Sequence, residues 1–162
     1  MIGHQWGIHE EDSLRIQAVI DRLVTDSHSR SIYVVDKTGQ LISQAGETEG
    51  VDGTSLASLA AGCVVATGGL AELLGEEEFP SHFHQGRRDN LHISLVGRRI
   101  ILLVVFDESS SLGLVRLRVK KAGSQLGQIL EEAQKRSEAE ASKRGNPLAD
   151  ITDEDIDQLF AD

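Results

Sequence analysis

The residues able to do chemistry on their own are few. His82 and His84 (SHFH) can share one side of an extended segment, with Asp89 and His92 close by, yet no spacing diagnostic of a zinc site joins them. They read as side chains of a solvated loop. Ser109, Ser110 and Ser111 lack the strand-turn-helix context that exposes a nucleophilic serine, and no two carboxylates form a recognisable acid/base pair. Gly68-Gly69 lies inside a helix-length run rather than after a strand, and no GxxxxGK[ST] motif occurs, so a phosphate cradle has no support. Arg87-Arg88 and Arg98-Arg99 raise one question, since an arginine supplied in trans can stabilise charge during phosphoryl transfer. The first pair falls in a loop and the second at a hairpin turn, where arginines are ordinarily just solvated. The reading is therefore of a non-enzyme with no catalytic residues, no metal ligands and no cofactor.

Binding chemistry is better represented. The run Ser55 to Leu74 (SLASLAAGCVVATGGLAELL) has the length of a helix, entered through Asp52-Gly53-Thr54 and ended by Gly75. At 100° per residue, Leu56, Leu59, Cys63, Thr67, Leu70 and Leu74 gather on one side and are expected to pack on a sheet. The other side carries Ala57, Ser58, Ala61, Val65, Gly68, Gly69 and Glu72, nearly free of large side chains. A glycine inside a helix costs about 1 kcal/mol relative to alanine. Gly62, Gly68 and Gly69 together therefore need a reason, and close approach by another backbone supplies one. That backbone belongs to a partner or, in the alternative, to a helix of the same domain crossing closely.

A second binding signal closes the chain. Thr152 with Asp155 three residues on, acidic residues in the first turn, and Ile151 with Ile156 as a hydrophobic staple encode a helix start. Ile156, Leu159 and Phe160 then form an apolar ridge at i, i+3 and i+4, as in a helix laid into a groove. Such a helix is too short to be stable alone in water. It completes itself by docking on a partner or by folding back on its own domain.

The elements that hold these features follow from periodicity. Leu14, Ile16, Val19, Ile20, Leu23 and Val24 mark a first amphipathic helix. Ser31 to Asp36, the turn Lys37-Thr38-Gly39 and Gln40 to Ala45 make a hairpin. After the second helix, strands are expected at Leu91 to Val96, Arg99 to Phe106 and Leu112 to Val119, then a helix over Lys120 to about Lys135. This is an α+β fold of order α-β-β-α-β-β-β-α around one mainly antiparallel five-stranded sheet.

At 162 residues and 40% hydrophobic composition, the chain bounds itself to one domain with extensions. The formal charge of −10 opposes attraction to nucleic acid or to an anionic bilayer. The apolar strand Ile100 to Phe106 is far shorter than the roughly 20 residues of a membrane span, so no membrane insertion is expected. One cysteine, Cys63, and no basic or apolar leader at Met1 to Glu10 point to the cytoplasm. Low aromatic content (4%) and a flat helix face argue against the cavity that a small-ligand sensory domain needs. Composition shifts from Glu131 on, where ten acidic residues face four basic ones. Residues 11–136 are expected as the domain, 137–150 as a linker and 151–162 as a short recognition helix.

The stretches Tyr33 to Ser43 (YVVDKTGQLIS), Thr54 to Gly62 (TSLASLAAG), Gly68 to Ala71 (GGLA), Ser111 to Arg118 (SLGLVRLR) and Asp155 to Phe160 (DIDQLF) resemble the roadblock family of bacterial GTPase regulators. The pairing of the helix-two run with that tail is specific to the branch acting on the Ras-like GTPase MglA. The resemblance covers about Glu11 to the end; Trp6 and Ser137 to Asn146 match no family motif. It implies a roadblock fold with one helix on one face of the sheet and two on the other. It implies a cytoplasmic homodimer, concentrated at a cell pole, that binds an MglA-like GTPase and stimulates GTP hydrolysis by repositioning the GTPase's own catalytic residues. On this resemblance Ala57, Ser58, Ala61, Val65, Gly68 and Gly69 meet the GTPase, and Leu91 to Val96 pairs edge to edge across the dimer. Ile156, Leu159 and Phe160 anchor a tail that adds binding or nucleotide exchange. The alternative is a scaffold dimer that leaves turnover unchanged.

Overall fold

The computed structural model describes residues 8–144 and 152–161. Helix α1 (Glu10–Ser27) is followed by strands β1 (Ser31–Asp36) and β2 (Leu41–Gly46), helix α2 (Gly53–Leu73) and strands β3 (Ser81–Gln85), β4 (Asn90–Val96) and β5 (Ile100–Phe106). Helix α3 (Leu112–Arg144) and the short α4 (Asp153–Phe160) complete the order. The strands form one antiparallel sheet in the order β2-β1-β5-β4-β3. β1 and β5 are fully interior and read as nearly continuous apolar runs, as strands covered on both faces must.

Ile32 and Val34 of β1, with Leu102, Val104 and Phe106 of β5, face α1 and α3, where Ile16, Ile20, Leu23, Val115, Val119, Leu126 and Ile129 close the larger core. Tyr33, Val35, Ile93, Ile101 and Leu103 point the other way, toward α2. One helix thus covers one face and two cover the other, as the roadblock resemblance implies. Asp12 ties the two-helix layer together: it accepts from the His9 backbone at 3.0 Å and pairs with Arg136 of α3. Burial pushes its carboxyl up, but the hydrogen bonds and charge of Arg136 and the His9 amide outweigh that and hold it below the usual range.

Four expectations are corrected. Leu112 to Val119 is not a strand but the first two turns of α3. Its alternation is read equally well at helical spacing, because Val115, Val119, Ala122, Leu126, Ile129 and Ala133 are the buried residues of one stripe. Ser111 caps it, its hydroxyl accepting from the Leu114 amide at 3.2 Å. The missing strand is β3, so His82 and His84 sit in a strand and not in a loop. With β3 in place, Leu91 to Val96 is hydrogen-bonded on both sides and cannot pair with another chain; the free edges are β2 and β3. α3 also runs through 137–144, the first half of the segment expected as linker, while 145–151, including Ile151 of the staple, lie outside the described residues.

Candidate partner-binding surface

α2 is apolar nearly all round, which a helix with one wet face is not. Its 21 residues are long and apolar enough to cross a membrane by length and composition, a property that the expectation built on Ile100 to Phe106 did not register. Here the helix packs on the sheet. Asp52 starts it, its carboxylate accepting from the Ser55 amide at 3.1 Å and from the Ser55 hydroxyl at 2.7 Å; those bonds hold its carboxyl below the usual range. At the far end Gly75, at φ +77°, reverses the chain after the Leu74 cap.

The face held to the sheet is made of alanines. Ala57, Ala60, Ala61 and Ala71 are buried, and the first three pack over Tyr33, Val35, Ile93, Ile101 and Leu103. Large residues come from the sheet and small ones from the helix, so the two approach closely. The β1–β2 turn presses on the same region. Asp36 gathers the Thr38 amide, the Thr38 hydroxyl and the Gln40 amide on one oxygen, and Gly39, at φ +92°, comes so close that a β-carbon there would sit 3.2 Å from the Ser58 backbone.

The small-residue face is consequently split, which corrects the expected set. Ala57 and Ala61 pack against the protein's own sheet, Ala57 fully buried and Ala61 open only at the floor of a groove beside the helix. Gly68 is half-buried, while Ser58, Val65 and Gly69 are exposed. Of the residues expected to face the sheet, Leu56 and Cys63 pack at its margin, but the other leucines turn outward: Leu59 is 73% exposed, Leu70 57% and Leu74 71%. The helix is rotated by about a quarter turn from the sequence-based placement, because close packing selected alanine over leucine for the inner side. A β-carbon added to Gly62, Gly68 or Gly69 would meet nothing within 4 Å. Internal packing, the alternative reason for these glycines, is therefore absent among the described residues.

Beside this face lies a groove of about 320 Å³ floored by Ala61, Val64, Gly68, Leu95 and Ile101, with Lys37 at its border and Glu77 and Glu78 also lining it. At the sheet margin, β3 presents an open edge. The Leu95 amide donates to the Pro80 carbonyl at 2.9 Å, so by antiparallel alternation the backbone groups of Ser81, Phe83 and Gln85 point outward. Phe83 stacks on Phe106 with ring centres 6.1 Å apart, anchoring that edge.

The chemically suggestive residues stay apart. Cys63 Sγ approaches His84 Nε2 at 3.9 Å and His82 Nε2 lies 3.1 Å from the Phe79 carbonyl, but no group of three or more metal-binding side chains occurs among the described residues. His92 is buried on the other face of β4, with neither ring nitrogen partnered among the described residues. Burial, aided by the charges of Arg116 and His82, lowers its pKa to about 4 and keeps it neutral. Arg87, Arg88 and Arg98 are exposed in turns. In α4, Thr152 and Asp155 form the expected capping box, and Ile156, Leu159 and Phe160 are exposed.

Comparison with known proteins fits this geometry. Residues 15–106 match the family model Roadblock/LC7 domain. The chain is 54% identical to MglB of Myxococcus xanthus, with a TM-score of 0.74, over 77% of this chain and 94% of that one. It is 31% identical to the gliding protein MglB of Thermus thermophilus, with a TM-score of 0.72, over 76% of this chain and 94% of that one. A Roadblock/LC7 domain from Streptomyces avermitilis, at 15% identity and a TM-score of 0.58, covers 74% of this chain and 95% of its own and shares the fold. Among curated proteins none matches. The architecture, the alanine-packed second helix and these likenesses agree, and the chain belongs to the Roadblock/LC7 family, in its MglB group.

Proposed function

We propose that the protein is a homodimeric regulator of an MglA-like Ras-family GTPase, engaging it through the outward face of α2 and stimulating its GTP hydrolysis. The observation that carries this reading is the α2 face itself: exposed leucines flank Gly62 and Gly69, whose β-carbon positions are open. An apolar face with glycines at its centre admits a partner's backbone and offers no group able to enter an active site. Activation therefore acts by holding the GTPase's own catalytic residues in place, without an inserted arginine. The contact set becomes Ser58, Val65, Gly68 and Gly69, joined by Leu59, Gly62, Leu70 and Leu73.

The dimer forms in this reading by antiparallel pairing of β3 edges, the role the resemblance gave to Leu91 to Val96. Two copies then bring two α2 faces side by side. α4 supplies a separate tethered contact through Ile156, Leu159 and Phe160. The likeness to MglB of gliding bacteria supports a role in motility and cell polarity, which this reading puts in the cytoplasm at a pole. A multiple-turnover GTPase assay with and without the purified chain tests the proposal. Acceleration supports it; binding without acceleration makes the protein a scaffold.

A further inference from the structure

We propose that α4 docks on the protein's own domain, in the groove between the β4–β5 turn and α3, and that this contact withholds it from other partners. The docking stands apart from the GTPase reading; only its effect on a partner rests on that reading.

The groove has a volume of about 240 Å³, with Val96, Gly127 and Leu130 on its apolar side and Arg98 and Arg99 on the other. It exists because α3 runs over the end of β4 on glycines. β-Carbons added at Gly123 and Gly127 would lie only 3.8 and 4.0 Å from the Val96 methyls, so the helix comes close and leaves no side chain to fill the flank. Glu131, on the same rim, is taken up by Lys135 at 3.1 Å. Arg98 and Arg99 make no ion pair among the described residues.

α4 is complementary in both respects. It carries Asp153, Glu154, Asp155 and Asp157 with no basic residue, and an exposed ridge of Ile156, Leu159 and Phe160. An acidic amphipathic helix of this kind fits an apolar slot bordered by arginines. Chain length favours this slot over the basic patch at the start of α3. From Arg144 to Thr152 the connector spans at most about 28 Å when fully extended. Leu130 lies about 21 Å back along α3, within that reach with slack, at a rise of about 1.5 Å per residue. Arg116 and Leu117, the exposed basic-apolar patch at the start of α3, lie about 40 Å back, a distance that the taut connector and the full length of α4 laid end to end only just span, with no slack for docking. The short tether also raises the local concentration of α4 to about the millimolar range, so a weak intrinsic contact is populated.

The test uses the full-length chain in a Cys63→Ser background and measures disulfide formation between Ala161→Cys and either of two positions on α3. Gln134→Cys lies on the groove, and Glu132→Cys lies on the opposite side of the helix at nearly the same tether distance. The expected result is intrachain bonding at least about tenfold faster at position 134. That advantage is expected to collapse in Arg98→Glu/Arg99→Glu and in Leu159→Ser/Phe160→Ser. Equal rates, or an advantage that survives both double variants, overturn the proposal. So does bonding that is mainly between chains, which makes a second copy the occupant. Bonding seen only after residues 1–7 are removed also overturns it, since the amino-terminal segment then holds the groove.

Discussion

Replacing Gly62 and Gly69 with alanine separates the energetic cost of the α2 face from its use. Each glycine lies inside a 21-residue helix, and each added β-carbon meets nothing within 4 Å. The substitution therefore gains helix propensity, about 0.8 to 1 kcal/mol per site, with no steric charge inside the protomer. The two sites are seven residues apart, about 10 Å along the helix, so the gains should add to roughly 2 kcal/mol. At about 3 °C per kcal/mol for a domain of this size, the double variant should melt about 6 °C higher. The same methyls project into the space where the partner's backbone is proposed to lie. Overpacking there costs about 1 to 3 kcal/mol, which is a loss of GTPase binding of about five- to 150-fold. Thermal unfolding at low protein concentration, paired with GTPase titration, reads both effects. A variant that gains the stability and keeps full binding would refute the argument, because the glycines would then serve no contact.

Other consequences follow from individual residues. His92 has an unfolded-state pKa of about 6.5 and a folded one of about 4, so the unfolded chain takes up the proton first as pH falls. Its stability contribution is intact above about pH 6.5, and about 3 kcal/mol is lost as pH drops toward 4; denaturant titrations across that range should show this, and His92→Leu should flatten it. Gln85→Pro removes an outward amide from the β3 edge and should weaken the dimer about tenfold or more in sedimentation velocity, with secondary structure unchanged. Truncation after Asn146 should reduce GTPase binding or nucleotide exchange more than it lowers the melting temperature, because α4 is a short tethered helix whose intrinsic contacts are weak.

The order of elements was legible because each long element repeats at its own period. The β1–β2 hairpin stands out through Lys37-Thr38-Gly39, and α2 through Asp52 and Gly75. β3 escaped notice because an edge strand buries little: of SHFHQ only Phe83 is a large apolar residue, and the strand shows no alternating apolar pattern. Leu112 to Val119 misled because LGLVRLRV alternates while also placing Val115 and Val119 four apart; the cap at Ser111 and the stripe continuing to Ala133 were the deciding signals. On α2, treating leucine as the buried side and alanine as the open side inverted part of the face. The sheet beneath is already filled by Tyr33, Ile101 and Leu103, so alanine is what fits. In α4 the capping residues are local in sequence, and the helix start could be read directly.

Whether the outward face of α2 activates a Ras-like GTPase is read directly in a hydrolysis assay comparing the native chain with Gly69→Arg. The arginine adds bulk and charge where the β-carbon meets nothing in the protomer, so folding and dimerisation should be retained. Acceleration by the native chain and its loss in a folded, dimeric Gly69→Arg protein are expected. Undiminished acceleration by that variant would contradict this role of the face.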